Sequence, residues 1–212
     1  MPVLVDHDER RRQVIAVASR LIARAGLEAM TVRDVAEAAD CSTAIVSHYF
    51  HNKRELLLLT YYSSIDTSQA RSDLVLAADG TDLRGYVAEL MPLDEQRLIE
   101  WKVWLAFWAR AVADREIAEV QRSCVLRARE GILGVLRTLE RMEVLVAGVD
   151  LATEARRILT TVMGLAIQVM FDPGDWPAER QHAVVDRELR ELYRPGLAPR
   201  SIRDADSALE RV

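Results

Sequence analysis

Residues 31–55 read Thr31-Val-Arg-Asp34-Val-Ala-Glu-Ala-Ala39-Asp40-Cys41-Ser42-Thr43-Ala44-Ile-Val46-Ser47-His48-Tyr49-Phe50-His-Asn52-Lys53-Arg-Glu55. The stretch opens with a hydroxyl residue followed three positions later by an acid, a pattern in which two side chains satisfy each other's backbone amides and start a helix. Val32, Val35, Ala36 and Ala39 then give one apolar side to a two-turn helix. Asp40 is among the few residues besides Gly that tolerate left-handed backbone, so a turn is expected there. Ser42 caps a second two-turn helix that ends at His48 or Tyr49, and Asn52 caps a third helix beginning at Lys53. Val46 and Phe50, four apart, form the inward face. Thr43, Ala44, Ser47 and His48 point outward. Two short helices about a tight turn make a helix-turn-helix unit. A capped helix with small or polar outward side chains suits the ~12 Å wide major groove of DNA.

Working outward, helical signals cover the rest of the chain. Upstream, from Asp8 on, Val14, Ala18, Leu21, Ile22 and Ala25 fall at helical spacing and define the buried face of a first helix. Gly26 is expected to stop it in the left-handed conformation, with Leu27 packing back. Arg10, Arg11 and Arg12 stand before this helix, either as a basic DNA-facing run or as a solvated helix start. Downstream, Lys53 to Leu76 reads as a long helix broken by Asp79-Gly80. Thr81 or Asp82 caps the next helix, which Pro92 ends. Asp94 to Ala113 is an aromatic-rich helix, and Asp114 caps a segment to about Val146, loosened at Gly131 and Gly134. Asp150 begins a helix to about Phe171. After the loop 172–177, Pro177 occupies the first turn of a last helix ending near Tyr193.

Composition agrees with an all-α fold and narrows the class. The 212 residues are 50% apolar, 29% charged and only 6% aromatic, with a net charge of −5. Residues 1–54 carry +1 and residues 55–212 carry −6, so a near-neutral N-terminal unit precedes an acidic body. Expected domains are 1–54 for DNA binding, 55–194 for ligand binding and dimerisation, and 195–212 as a tail. Two cysteines, Cys41 and Cys124, exclude a disulfide framework and read as core residues. No apolar run approaches a membrane span, and the N-terminus does not read as a signal peptide, so a cytoplasmic protein is expected.

At residues 31–57 the sequence resembles the DNA-binding domain of the TetR family of one-component repressors, a likeness that extends over roughly residues 10–60. The ending Ser47-His-Tyr-Phe50 and the segment Lys102-Val-Trp104-Leu-Ala-Phe-Trp108-Ala109 are similar to the choline-sensing BetI branch. The resemblance implies a homodimer that binds two-fold-symmetric operator DNA and is released by a small molecule. It implies base contacts from Thr43, Ala44 and Ser47, and phosphate contacts from Thr31, His48, Tyr49 and Lys53. Two positions depart from the family pattern. Asp40-Cys41-Ser42 stands where Gly-Val-Ser is common, and Ser47 stands where many members carry Tyr.

Trp101, Trp104, Leu105, Trp108 and Val112 fall at helical spacing on one stripe. Such a stripe is either core or the wall of an aromatic pocket, suited to a quaternary ammonium through cation–π attraction or to a flat hydrophobic effector. Ile158, Val162, Leu165 and Val169, with Val185, Leu189 and Leu192, form two further stripes. Across a two-fold axis they would build a four-helix dimer interface, with Gly164 admitting close backbones; within one chain they would close its own core. Glu179-x-x-His182 has di-iron spacing, but no second copy accompanies it, so neither a metal nor a cofactor is expected. Catalysis is not expected from four histidines, three of them in or beside the DNA-binding segment. The alternative reading is an all-helical carrier or enzyme with a vestigial helix-turn-helix.

Overall fold

The structure is a computed structural model that describes residues 7–198. Among these residues the chain forms nine helices: α1 His7–Ala29, α2 Val32–Ala38, α3 Thr43–Tyr49, α4 Lys53–Ala78, α5 Leu83–Glu89, α6 Glu95–Ala111, α7 Arg115–Arg141, α8 Leu151–Phe171 and α9 Ala178–Arg190. Met1–Asp6 and residues 199–212, hence most of the expected tail, lie outside the described residues.

The chain divides into two compact units, one from residues 7–70 and 94–124 and the other from residues 71–93 and 125–198. This differs from a cut at residue 54, because α6 packs along α1 and shares its core. In the first unit, Gly26 sits at φ 83°, ψ 169°, a combination essentially confined to glycine. It kinks α1 instead of ending it, and the helix resumes to Ala29 with Leu27 buried. At its other end α1 begins at His7, so Arg10 to Arg12 lie inside the helix, not ahead of it.

Thr31 and Asp34 make both halves of the expected capping box. Asp40 adopts φ 49°, and the Cys41 N–H reaches the Ala36 carbonyl while the Asp40 N–H reaches Glu37. These bonds form a Schellman turn with Asp in the glycine position. Ser42 accepts from the Ile45 N–H at 3.3 Å to start α3. Val46 and Phe50 lock α3 into a core with Val14, Ala18, Ile22 and Val35, and half-buried Cys41 packs against it as a small hydrophobe.

In the second unit several helix ends differ from expectation. The α5 helix stops at Glu89, three residues short of Pro92. The α7 helix stops at Arg141, not Val146. Glu143 takes φ 57° there, and the Val144 N–H bonds to Leu139 while the Glu143 N–H bonds to Glu140, a second Schellman turn without glycine. Residues 144–146 then pair with residues 192–194 in an isolated antiparallel bridge, which ends α9 at Arg190 before Tyr193. Pro177 occupies the N-cap position of α9, not its first turn. Gly131 does not loosen α7: a Cβ there would overlap the Tyr86 hydroxyl, so the glycine admits the α5 ring.

The α8 and α9 stripes require a correction. Ile158, Val162, Leu165, Val169, Val185, Leu189 and Leu192 are only 1–5% exposed in the single chain. Apolar burial already occupies these side chains, so they close the protomer's own core and leave no surface for a second copy. What α8 exposes is its opposite face, with Thr160, Gly164 and Gln168 in line and Phe171 78% exposed. Salt bridges of Arg157 with Glu154 and Glu188, and of Arg84 with Asp186 at 2.5 Å, tie α8 and α5 to α9.

Candidate nucleic-acid interface and effector site

The outward set on α3 is as the spacing predicts: Thr43, Ala44, Ser47 and His48 are exposed, while Val46 and Phe50 are buried. Ser42 occupies the N-cap, so the N-terminal turn ends in small side chains that let the backbone approach a base edge.

The residues expected at phosphates have partners of their own. The Tyr49 hydroxyl lies 3.0 Å from His7 Nδ1, and the His48 and Tyr49 rings meet edge-on at 5.2 Å. The Lys53 ammonium donates to the Glu28 carbonyl at 3.0 Å, tying the start of α4 to the end of α1. Two of its three protons stay available. The Thr31 hydroxyl donates to Asp34 Oδ2 at 2.7 Å, so its proton already has an acceptor. This bond, the backbone bond from Thr31 and the nearby cations Arg33 and Lys53 hold the Asp34 carboxyl below its usual range. The basic run is similarly engaged. Arg10 bonds Gln13, Arg12 pairs with Glu9 at 2.9 Å, and the Arg11 guanidinium sits 5.9 Å from the Phe50 ring centre.

On α6, Trp101 is buried and meets Trp104 and Trp108 edge-on, with ring centres 5.2 and 5.8 Å away. Trp104, Leu105 and Trp108 are half-buried, and Val112 lies beyond the helix end, 91% exposed, so it leaves the stripe. The Trp104 indole donates to Ser64 Oγ at 2.9 Å. The Trp108 Nε1 is buried and has no hydrogen-bond partner. Beside them Phe107 stacks on Tyr61 at 4.4 Å, and the Tyr61 hydroxyl donates to Gln121 at 2.6 Å. Burial raises the Tyr61 pKa, so it remains a neutral donor. In the other unit, Glu179 is exposed and His182 Nδ1 lies 3.4 Å from the Arg84 guanidinium.

Some features escaped the sequence reading. Thr60, Ser64, Ser68 and Ser72 recur every four residues along α4, and all four are buried. That row was visible as a period but not as an inward face, because hydroxyl residues carry no apolar signal. Glu100 is 2% exposed and accepts from Gln96 at 3.3 Å. Arg54 pairs with Asp114 and Glu116, and Arg110 with Glu28 at 2.6 Å, both fastening α1 or α4 to the ends of α6 and α7.

Known proteins supply the context for this geometry. Residues 14–60 match the family described as bacterial regulatory proteins, tetR family, and residues 80–194 match the BetI-type transcriptional repressor C-terminal family. The HTH-type transcriptional regulator PksA of Bacillus subtilis (strain 168) is 27% identical over 176 residues, 82% of this chain and 84% of that protein. BetI of Burkholderia mallei (strain NCTC 10229) is 34% identical over 126 residues, 58% of this chain and 65% of BetI. Among solved structures, a transcriptional regulator from Rhodococcus sp. Rha1 superposes with a TM-score of 0.72 at 29% identity, covering 86% of this chain and 95% of the other. A regulator from Saccharomonospora viridis in complex with choline shares the fold, with a TM-score of 0.78 at 23% identity over 88% of this chain and 99% of its own.

Proposed function

The chain belongs to the TetR family of bacterial transcriptional regulators and carries a BetI-type C-terminal domain, and from that premise we propose that it acts as a homodimeric repressor whose grip on operator DNA is released by a small molecule. The observation that carries the DNA half is α3 itself. Its capped N-terminus and exposed Thr43, Ala44 and Ser47 form a small polar reading edge, locked from behind by Val46 and Phe50. His48, Tyr49 and Lys53 flank that edge and contact phosphates, and Thr31 joins them where a phosphate competes with Asp34. PksA, BetI and the Rhodococcus and Saccharomonospora neighbours are described as regulators, which favours this reading over a carrier or an enzyme.

The effector half rests on Trp101, Trp104, Leu105 and Trp108. Two indoles set edge-on against Trp101 and an unpartnered Trp108 N–H suit an occupant with an apolar or cationic body and one acceptor. The choline complex of the Saccharomonospora regulator supports a quaternary ammonium. Dimerisation uses the outer faces of α8 and α9, where Gly164, Phe171, Ala183 and Val184 meet a second copy. Pairing brings two recognition helices to half-sites ~34–36 Å apart or a multiple of that spacing, and an occupied tryptophan site pulls them out of register.

Gel-shift titration with the DNA upstream of the protein's own gene tests this reading. The expected result is tight binding that Lys53→Ala weakens on operator and random DNA alike, with the salt slope reduced by about one. Thr43→Ala and Ser47→Ala should change which sequence is preferred. Equal affinity for operator and competitor DNA at moderate salt would end the repressor reading. Unchanged operator affinity and tryptophan emission in millimolar choline would remove choline while leaving the repressor intact.

A further inference from the structure

Away from the tryptophan stripe, α1, α4 and α6 enclose a polar cavity of about 120 Å³. That is room for several waters or one small organic molecule. Its deepest charged group is Glu100, almost wholly buried. Ser64 is also buried there, and Ser19, Thr67, Gln96 and Arg20 complete the wall toward solvent.

The walls have a definite polarity. The Ser19 hydroxyl donates to the Ile15 carbonyl at 3.1 Å, Ser64 to Tyr61 at 2.7 Å, and Thr67 to Ser63 at 2.8 Å. Each hydroxyl proton therefore has an acceptor in its own helix, and what each oxygen turns elsewhere is lone-pair density. The Gln96 amide donates to Glu100 at 3.3 Å, and the remaining lone pairs of that carboxylate and of the three hydroxyls leave the inner end rich in acceptors in a low-dielectric setting. It asks for a cation that carries N–H groups, which a quaternary ammonium lacks. The rim has the opposite sign. Arg12 is paired with Glu9, but exposed Arg20 has no carboxylate partner among the described residues. A simple cation meets Arg20 unfavourably, and a simple anion meets Glu100 unfavourably. A small molecule with an ammonium at one end and a carboxylate at the other satisfies both.

We infer that the α1–α4–α6 cavity is a second ligand site, taking a small zwitterion of the amino-acid type with its ammonium on Glu100 and the wall oxygens and its carboxylate on Arg20. Ser64 joins this site to the proposed effector site, because its oxygen both lines the cavity and accepts the Trp104 indole proton. An occupant therefore alters Trp104 directly, and it touches α1, the first helix of the DNA-reading unit. The binding claim stands on the cavity alone; only its regulatory consequence rests on the repressor reading.

The test is titration of the full-length protein with glycine, L-serine and L-proline, followed by calorimetry and tryptophan emission. Glycine betaine, tetramethylammonium and acetate serve as controls that each lack the N–H groups or one of the charges. The expected result is saturable binding of at least one N–H zwitterion, with emission changing in step and each control at least about tenfold weaker. Arg20→Ala, an exposed substitution that leaves folding alone, should weaken that zwitterion about tenfold, and Glu100→Gln should weaken it at least as much. No saturable binding by any of the three, equal binding of a control, or full affinity in Arg20→Ala would overturn the inference. The same preparations carried into the gel shift separate the two readings: operator binding without zwitterion binding removes the cavity site only, and the reverse removes the repressor only.

Discussion

Two long helices, α4 and α8, bury opposite kinds of face. Along α8 the buried line is hydrocarbon throughout: Ala155, Ile158, Leu159, Val162, Leu165, Ala166 and Val169. Along α4, Leu56, Leu57 and Tyr61 begin the buried surface, but Thr60, Ser64, Ser68 and Ser72 continue it as hydroxyls. A dry face is favourable wherever it is covered and needs no geometry beyond close packing. A hydroxyl face stabilises only if each group finds a partner, which fixes the neighbours' positions and leaves lone pairs for anything else that enters. The contrast assigns different work to the two helices. Helix α8 holds its unit together, and α4 supplies the polar wall of the cavity proposed above as a ligand site.

The harshest way to break the comparison is a charge on the dry side. Val162→Asp should cost at least about 3 kcal/mol, because the carboxylate has no partner there and cannot reach water. Thermal melts followed by circular dichroism should show loss of a cooperative transition or a greatly lowered midpoint. A near-native melt would mean that α8's inner face is less tightly covered than its burial indicates.

The outer side of the same helix should respond in another way. A Cβ at Gly164 meets nothing within 4 Å in the protomer, and arginine is the better helix former. Gly164→Arg is therefore expected to melt at or above the parent temperature yet sediment as a monomer. Operator affinity should fall on the order of a hundredfold or more, since one half-site is given up. A Gly164→Arg protein that remains dimeric would place the subunit interface off this face.

On the hydroxyl side the effect is smaller and more local. Ser64→Ala removes the acceptor of the Trp104 N–H and should cost about 1 kcal/mol, with a shift in tryptophan emission. Unchanged emission would mean that Trp104 does not report on α4.

What the sequence made legible follows the range of the interactions. The caps at Thr31, Ser42 and Asn52 and the turn at Asp40 are decided within three or four residues and were read from local pattern; Thr81 competed with Asp82, and Asp94 and Asp150 were read as helix starts where the structure makes them caps. The outward face of α3 was equally readable, because Val46 and Phe50 fix its phase. Long-range choices were not. Nothing near Ser64 says that an indole forty residues on will bond to it, and nothing near Lys53 points to the Glu28 carbonyl. The α8 stripe announced burial without saying whether the covering surface was its own chain or a second copy; the burial of Val162 in the protomer decides that. Glu143 hid the end of α7 because a left-handed turn without glycine leaves no mark in composition.

Acid should distinguish the starts of α4 and α8 by the smallest of these effects. Asp150 caps α8, and its bonds from the Thr153 hydroxyl first, then from the Thr153 and Ala152 amides, hold its pKa below the ordinary carboxylate value. A carboxyl lowered on folding contributes stability that is complete above the unfolded pKa of about 3.9 and is lost as pH falls through the folded value. The corresponding cap of α4 is Asn52, whose amide oxygen accepts from the Glu55 N–H at 2.9 Å and does not titrate. Glu55 holds only the His51 N–H, outside the helix. Hydrogen exchange between pH 5 and ~2.5 should therefore show the amides of residues 152–153 losing protection while that of Glu55 keeps it. Asp150→Asn, which preserves the cap without the charge, should abolish the difference. Equal loss at both helix starts in the parent protein would mean that global acid unfolding precedes the local event, and that the Asp150 cap is not what acid reaches first.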